Sequence, residues 1–117
     1  PAAAWFLMRI LDLLGYQPQL HDCAGCAAPL TEAAAWFSPL LGGVLCSKCG
    51  SHDQAGSPVS VNGLKVMRVM AAGDETLYDR LRLSPELLDE VEQALEALLE
   101  YHLDRRLKSV EFIRDLR

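Results

Sequence analysis

The residues whose types and spacing could do chemistry are four cysteines. Cys23 and Cys26 frame one Cys-x-x-Cys turn, Cys46 and Cys49 frame a second, and 19 residues separate the pairs in a chain of 117. A Cys-x-x-Cys turn sets two thiolates about one ion, and two such turns complete the tetrahedron that zinc accepts from sulfur. All four ligand positions are then filled, so the spacing predicts one structural Zn2+ with no open site for water or substrate. Gly25 and Gly50 stand beside the two turns, where positive φ is expected.

Three other readings compete for these thiols: a pair of disulfides, a redox dithiol, or four unrelated buried cysteines. Disulfides need an oxidising compartment, and nothing in the chain reads as a secretion signal. The apolar opening lacks a basic start and is interrupted by Arg9 and Asp12. A redox pair would open a helix within a βαβ pattern, and neither pair follows such a strand. His21 and His52 lie near the pairs and could substitute as ligands, but their surroundings read as solvated loops.

The elements that must hold this centre are mostly helical. Residues 3–14 predict a first helix so apolar that it should be largely buried, with Arg9 and Asp12 on its one wet edge. Gly15 stops it and Pro18 confirms the stop. Between the cysteine pairs, the runs 33–38 and 43–46 flank a Pro/Gly-rich turn and read as a small hairpin that returns the second pair to the first. Residues 50–58 have the composition of an exposed loop. A second helix is expected over 61–72, capped by Ser60 and ended by Gly73. A short helical turn over 74–81 follows, with Leu77, Tyr78 and Leu81 facing inward. Ser84 and Pro85 open the longest helix. Leu88, Val91, Leu95, Leu98 and His102 form its apolar face, and Val110, Phe112, Ile113 and Leu116 form a last apolar set. The fold class is therefore a helical bundle with an inserted zinc module, residues 20–50, that contains a short β-hairpin. So small a ribbon buries too little apolar surface to fold alone, and metal binding would contribute on the order of 10 kcal/mol.

Composition excludes several functions. Half the residues are hydrophobic, as in a folded domain, and the net charge of -5 argues against a domain whose main task is wrapping nucleic acid. The charge is unevenly spread: residues 74–100 hold nine acidic and two basic groups, and residues 101–117 three acidic and five basic. No apolar run is long enough to span a bilayer. There is no Gly-rich phosphate loop, nucleophile elbow or His-Glu-x-x-His, and the carboxylates follow the outside of a helix. No enzyme is inferred. A start at Pro1 suggests a fragment or a processed product.

Taken together, Leu13-Leu14-Gly15-Tyr16-x-Pro18, then Leu20-x-x-Cys23-x-x-Cys26, then Phe37-Ser38-Pro39-x-x-Gly42-Gly43-x-x-Cys46-x-x-Cys49 resemble the carboxy-terminal domain of the bacterial recombination mediator RecO. The closing Tyr101-His102-Leu103-x-Arg105-Arg106-Leu107-Lys108-Ser109, with Phe112 soon after, is similar to the end of that family. The resemblance implies a cytoplasmic, non-enzymatic protein of DNA repair and recombination. Such proteins work with RecR, and in some settings RecF, to load RecA onto strands coated by single-stranded-DNA-binding protein, and they anneal complementary strands. DNA binding in the family belongs mainly to an amino-terminal oligonucleotide-binding barrel, for which this chain has too few strands. The helical domain can receive the acidic, phenylalanine-ended tail of single-stranded-DNA-binding protein. The matching positions here would be Ile10, Leu14 and Tyr16, with Arg105, Arg106 or Lys108 nearby. A zinc-ribbon adaptor for a partner outside repair explains the cysteines equally well, but not the helical ends.

Overall fold

The computed structural model describes residues 2–30, 35–51 and 56–116. Its elements run α1 (Ala2–Leu13), β1 (Ala35–Ser38), β2 (Gly43–Leu45), α2 (Ser47–Gly50), β3 (Ser57–Val59), α3 (Val61–Ala72), α4 (Glu75–Arg80) and α5 (Pro85–Asp115). Helices α1, α3 and α5 pack on one another, and a small antiparallel sheet of order β2-β1-β3 closes the other side.

Helix boundaries follow local chemistry. Gly15 adopts φ +82, and the Tyr16 N–H reaches back to the Leu11 carbonyl at 2.8 Å, which terminates α1. The Ser60 hydroxyl accepts from the Gly63 N–H at 3.0 Å, the Asp74 carboxylate from the Leu77 N–H at 3.0 Å, and the Ser84 hydroxyl from the Leu87 N–H at 3.1 Å. Each satisfies an N–H that the first helical turn leaves without a partner. Gly73, at φ +77, ends α3. The expected span 61–72 and both of its caps are reproduced. Of the inward set expected in α4, Tyr78 is buried and Leu81 half-buried, whereas Leu77 is exposed.

α1 departs from expectation. Ala4, Met8 and Leu11 are buried, but Phe6, Ile10 and Leu13 are exposed, Leu13 by 86%. Only the stripe Ala4, Met8, Leu11 is fully buried, with Trp5 and Leu7 packed partly buried beside it, because α3 and α5 cover one side of the helix. Nor is Arg9 at a wet edge: its Nη2 donates to the Met70 carbonyl while its guanidinium lies 5.0 Å from the Trp5 ring centroid. Gln17 donates to the Ala71 carbonyl at 2.9 Å. The cation thus adds to the Gly73 N–H already on the Met70 carbonyl, and the amide caps the Ala71 carbonyl, at the negative end of α3.

β1 is the central strand. Trp36 lies opposite Leu45 on one side and Pro58 on the other, and Phe37 opposite Val44 and Ser57. The hairpin is as expected, but Ser57–Val59, whose first two residues fall in the stretch expected to be loop, is a third strand. Pro58 is tolerated there because β3 is an edge strand. Phe37, Val44 and Val59 are buried in one cluster with the helices and join the sheet to them, whereas Leu45 is buried outside that cluster.

The glycines beside the cysteines act by size, not by φ. Positive φ among the described glycines falls at Gly15, Gly42 and Gly73; Gly25 and Gly50 lack it. A Cβ at Gly50 would lie 1.9 Å from Trp36 Cδ1, and one at Gly43 would lie 2.5 Å from the backbone oxygen of Gln19. Gly43 needs that approach because Gln19 bridges to β2: its N–H donates to the Gly42 carbonyl at 3.0 Å and its carbonyl accepts from the Val44 N–H at 2.9 Å. Replacing Gly43 or Gly50 by Ala should lower the unfolding free energy by about 1–3 kcal/mol in urea titrations. Leu40→Ala at the exposed hairpin tip should change it by less than about 0.5 kcal/mol.

Candidate functional site

The Sγ atoms of Cys23, Cys26, Cys46 and Cys49 all lie within 4.8 Å of one another. Three local structures bring them there. Residues 19–30 form a loop in which the Cys23 carbonyl accepts from the Ala27 N–H and the Cys23 N–H donates to the Ala28 carbonyl, both at 2.8 Å. Ala27 takes φ +65 to close this turn. The Ala24 N–H then donates to the Val44 carbonyl at 3.0 Å, fastening the loop to β2. β2 delivers Cys46, and the short α2 carries Cys49 one turn further.

The sulfurs are not joined to each other. Cys26 and Cys46 Sγ stand 3.9 Å apart, against ~2.05 Å in a disulfide. The edge of a sulfur tetrahedron around an ion bonded at ~2.3 Å is about 3.8 Å. Four thiols within 4.8 Å, one pair at that edge length, could hold a divalent, thiophilic ion tetrahedrally. Cys23 is buried, Cys46 and Cys49 are half-buried and Cys26 is exposed. Cys23 Sγ also accepts from the backbone N–H groups of Gly25 and Cys46, each at 3.4 Å. Such donors favour thiolate and orient it. Gly25 keeps the space beside Cys49 open, since a Cβ there would lie 3.2 Å from Cys49 Sγ. His21 is exposed and outside the cluster, which among the described residues contains cysteines alone. His52 lies outside the described residues.

Two of the thiols, Cys23 and Cys49, are shifted in opposite directions. Burial pushes the Cys23 thiol up, but N–H groups of Cys46, Cys26 and Gly25, joined by the Cys26 thiol, outweigh it and bring Cys23 down to about 6. Hydrogen bonds to the Cys23, Cys26 and Cys46 sulfurs, with burial and the Cys23 charge adding to them, push Cys49 up to about 12. Near neutral pH, Cys23 is then already a thiolate and Cys49 still carries the proton that an incoming ion must displace.

A second cluster of functional groups lies where α1 ends beside the distal half of α5. The Tyr16 and His102 rings stack with centroids 3.8 Å apart and planes 3° from parallel. Arg106 Nε donates to the Tyr16 hydroxyl at 3.1 Å. The Arg105 guanidinium lies 5.7 Å from the Tyr101 centroid. Tyr16, His102, Arg105, Arg106 and Ser109 line a cleft of about 300 Å3. Arg105, Lys108, Ser109, Phe112 and Ile113 line a second, of about 420 Å3. Tyr16, Arg105 and Arg106 therefore meet, with Lys108 on the adjoining wall, where it pairs with Asp104 at 3.2 Å. Ile10 and Leu14 line neither cleft. His102, which the periodicity sets on the apolar face of α5, is half-buried; its stacking on Tyr16 has no local signal, since 86 residues separate them. Burial, and then the charges of Arg105 and Arg106, lower the His102 pKa.

The family model described as "Recombination protein O C terminal" matches residues 1–111. A DNA repair protein RecO of Roseiflexus sp. is 40% identical over 110 residues, covering 94% of this chain and 39% of that protein. Those of Dehalococcoides mccartyi and Symbiobacterium thermophilum are 34% and 35% identical, covering 96% and 100% of this chain and 44% and 47% of their own lengths. The chain thus spans less than half the length of these curated relatives. No solved structure matches it significantly. Among the described residues, no helix is long and apolar enough to cross a membrane.

Two measurements check the site. Titration with Co2+ should give thiolate-to-metal absorption saturating at one ion per chain. Because Cys49 must lose its proton, the binding enthalpy near pH 7 should vary with the ionisation enthalpy of the buffer, and affinity should fall as pH falls. In a proton NMR titration, His102 should titrate below the 6.5 usual for a free imidazole. The folded protein then binds fewer protons there than the unfolded chain, so His102 contributes stability that is present at neutral pH and declines as pH drops below that value.

Proposed function

The chain belongs to the RecO family, and on that premise we propose that it is the docking part of a DNA repair and recombination mediator. It performs no catalysis. Its four cysteines hold a structural Zn2+, which leaves no ligand position for a reacting molecule. The zinc module, residues 20–50, is inserted into the helical body and stiffened by the ion. DNA contact belongs mainly to an oligonucleotide-binding barrel elsewhere in the protein, which suits the net charge of -5. The working compartment is the bacterial cytoplasm, where thiols stay reduced and available to zinc.

The partner we assign is the acidic tail of single-stranded-DNA-binding protein, with RecR as a further partner in the loading of RecA and in strand annealing. The observation that carries the tail reading is the pair of adjoining clefts on α5. Arg105 borders both, Arg106 and Tyr16 line one, and Lys108, Phe112 and Ile113 line the other. A tail ending in phenylalanine needs an apolar recess for its ring and fixed cations for its carboxylates, and guanidinium groups bind carboxylate through paired hydrogen bonds. Ile10 and Leu14 extend the apolar surface on α1, outside the clefts.

In calorimetry with a synthetic acidic tail peptide, joint reversal of Arg105 and Arg106 to Glu should weaken binding at least about tenfold, since several charge-assisted hydrogen bonds are lost. Added salt should weaken the wild-type interaction. Unchanged affinity in the doubly reversed protein would remove the tail from this site.

A further inference from the structure

Beyond the tail cleft, α5 carries a second organised surface. Its 31 residues run from Pro85 to Asp115, and from Leu103 onward every described side chain is exposed. At ~100° per residue, Glu96, Glu100, Leu103, Leu107, Val110 and Arg114 fall within about 80° of arc on one face. All six are exposed. The spacing alternates three and four residues, the pattern of a seam between two helices. This face is turned away from Val91, Ala94, Leu95 and Leu98, which point into the core. It is also turned away from Phe112 and Ser109, which line the clefts described above.

The order of chemistry along the stripe identifies what fits it. Two acids come first, three aliphatic side chains follow, and a base ends it. Among the described residues the one ion pair is Lys108 with Asp104, so neither Glu96, Glu100 nor Arg114 has an ion-pair partner among them. A parallel copy would set acid against acid and base against base. An antiparallel copy sets Leu103 against Leu107, Glu100 beside Val110, and Glu96 against Arg114, each contact occurring twice about a two-fold axis. A symmetric pair requires one patch that is its own complement, and this stripe has that property.

We propose that a second copy of this chain packs antiparallel along α5, through Leu103, Leu107 and Val110, with Glu96 and Arg114 of opposite copies pairing at each end. Three aliphatic residues per copy form a small contact, so the dimer is weak and reversible. Its face differs from the tail cleft, so either assignment can fail without the other.

The test is sedimentation of the full-length, metal-loaded protein across micromolar to millimolar concentration, with circular dichroism confirming that each variant keeps its helix content. Dimerisation that rises with concentration and weakens in salt is expected, and Leu107→Glu should abolish it. Arg114→Glu or Glu96→Arg alone should raise the dissociation constant roughly tenfold, because each turns two attractions into two repulsions. The double exchange, Glu96→Arg with Arg114→Glu, should restore it. A monomer throughout the range, or a double exchange no tighter than either single one, overturns the proposal. So does a monomer that Leu107→Glu destabilises, which would show that the rest of the protein covers this face.

Discussion

Four sulfur atoms held within 4.8 Å of one another are the constraint on which the first half of the structure depends. The strands around them are three or four residues long, too short to be stable as an isolated sheet. What makes them cohere is that the two cysteine turns arrive from opposite directions, one from the loop after α1 and one from β2 and α2. An ion bound there crosslinks segments that chain entropy would separate. The backbone has adapted closely to this convergence. Two N–H groups point at Cys23 Sγ, Ala27 accepts a left-handed conformation, and glycines stand wherever a methyl group would strike a sulfur, an indole or a carbonyl.

Polar contacts add to the buried Leu20, Phe37, Val44 and Val59 in tying the centre to the helices. Arg68, on α3, donates to the Leu20 carbonyl at 2.9 Å, just ahead of the first cysteine. Glu90, on α5, accepts from both the N–H and the hydroxyl of Ser60, at 2.9 and 2.7 Å. That carboxylate stands at the positive end of α3 and fixes the link between β3 and the bundle. Gly63 leaves room for it, since a Cβ there would lie 2.1 Å from Glu90 Oε2. Arg9 and Gln17 perform the matching task at the other end of α3. Both ends of α3 are therefore held by side chains from other elements.

α5 divides its circumference and its length among separate tasks. Its first half buries Val91, Ala94, Leu95 and Leu98 and leaves a carboxylate-rich surface outside. Its second half continues past the body, with basic and aromatic groups in line with the buried face and an aliphatic stripe on the far side. An outward-facing segment with this much apolar surface is suited to contact with other molecules.

Much of this was legible in the chain before any fold was known. The two Cys-x-x-Cys turns, the caps at Ser60, Ser84, Gly15 and Gly73, the hairpin and the span of α3 are set by interactions within a few residues. For such features, residue type and spacing are the cause, so reading them recovers the structure. The third strand, the exposure of Phe6, Ile10 and Leu13, the inward turn of Arg9, the steric role of Gly50 and the stacking of Tyr16 on His102 were decided elsewhere. Each depends on which surface another element happens to cover, and on groups brought together across dozens of residues. Hydrophobic periodicity says that a helix has apolar sides; only packing selects the side that is buried.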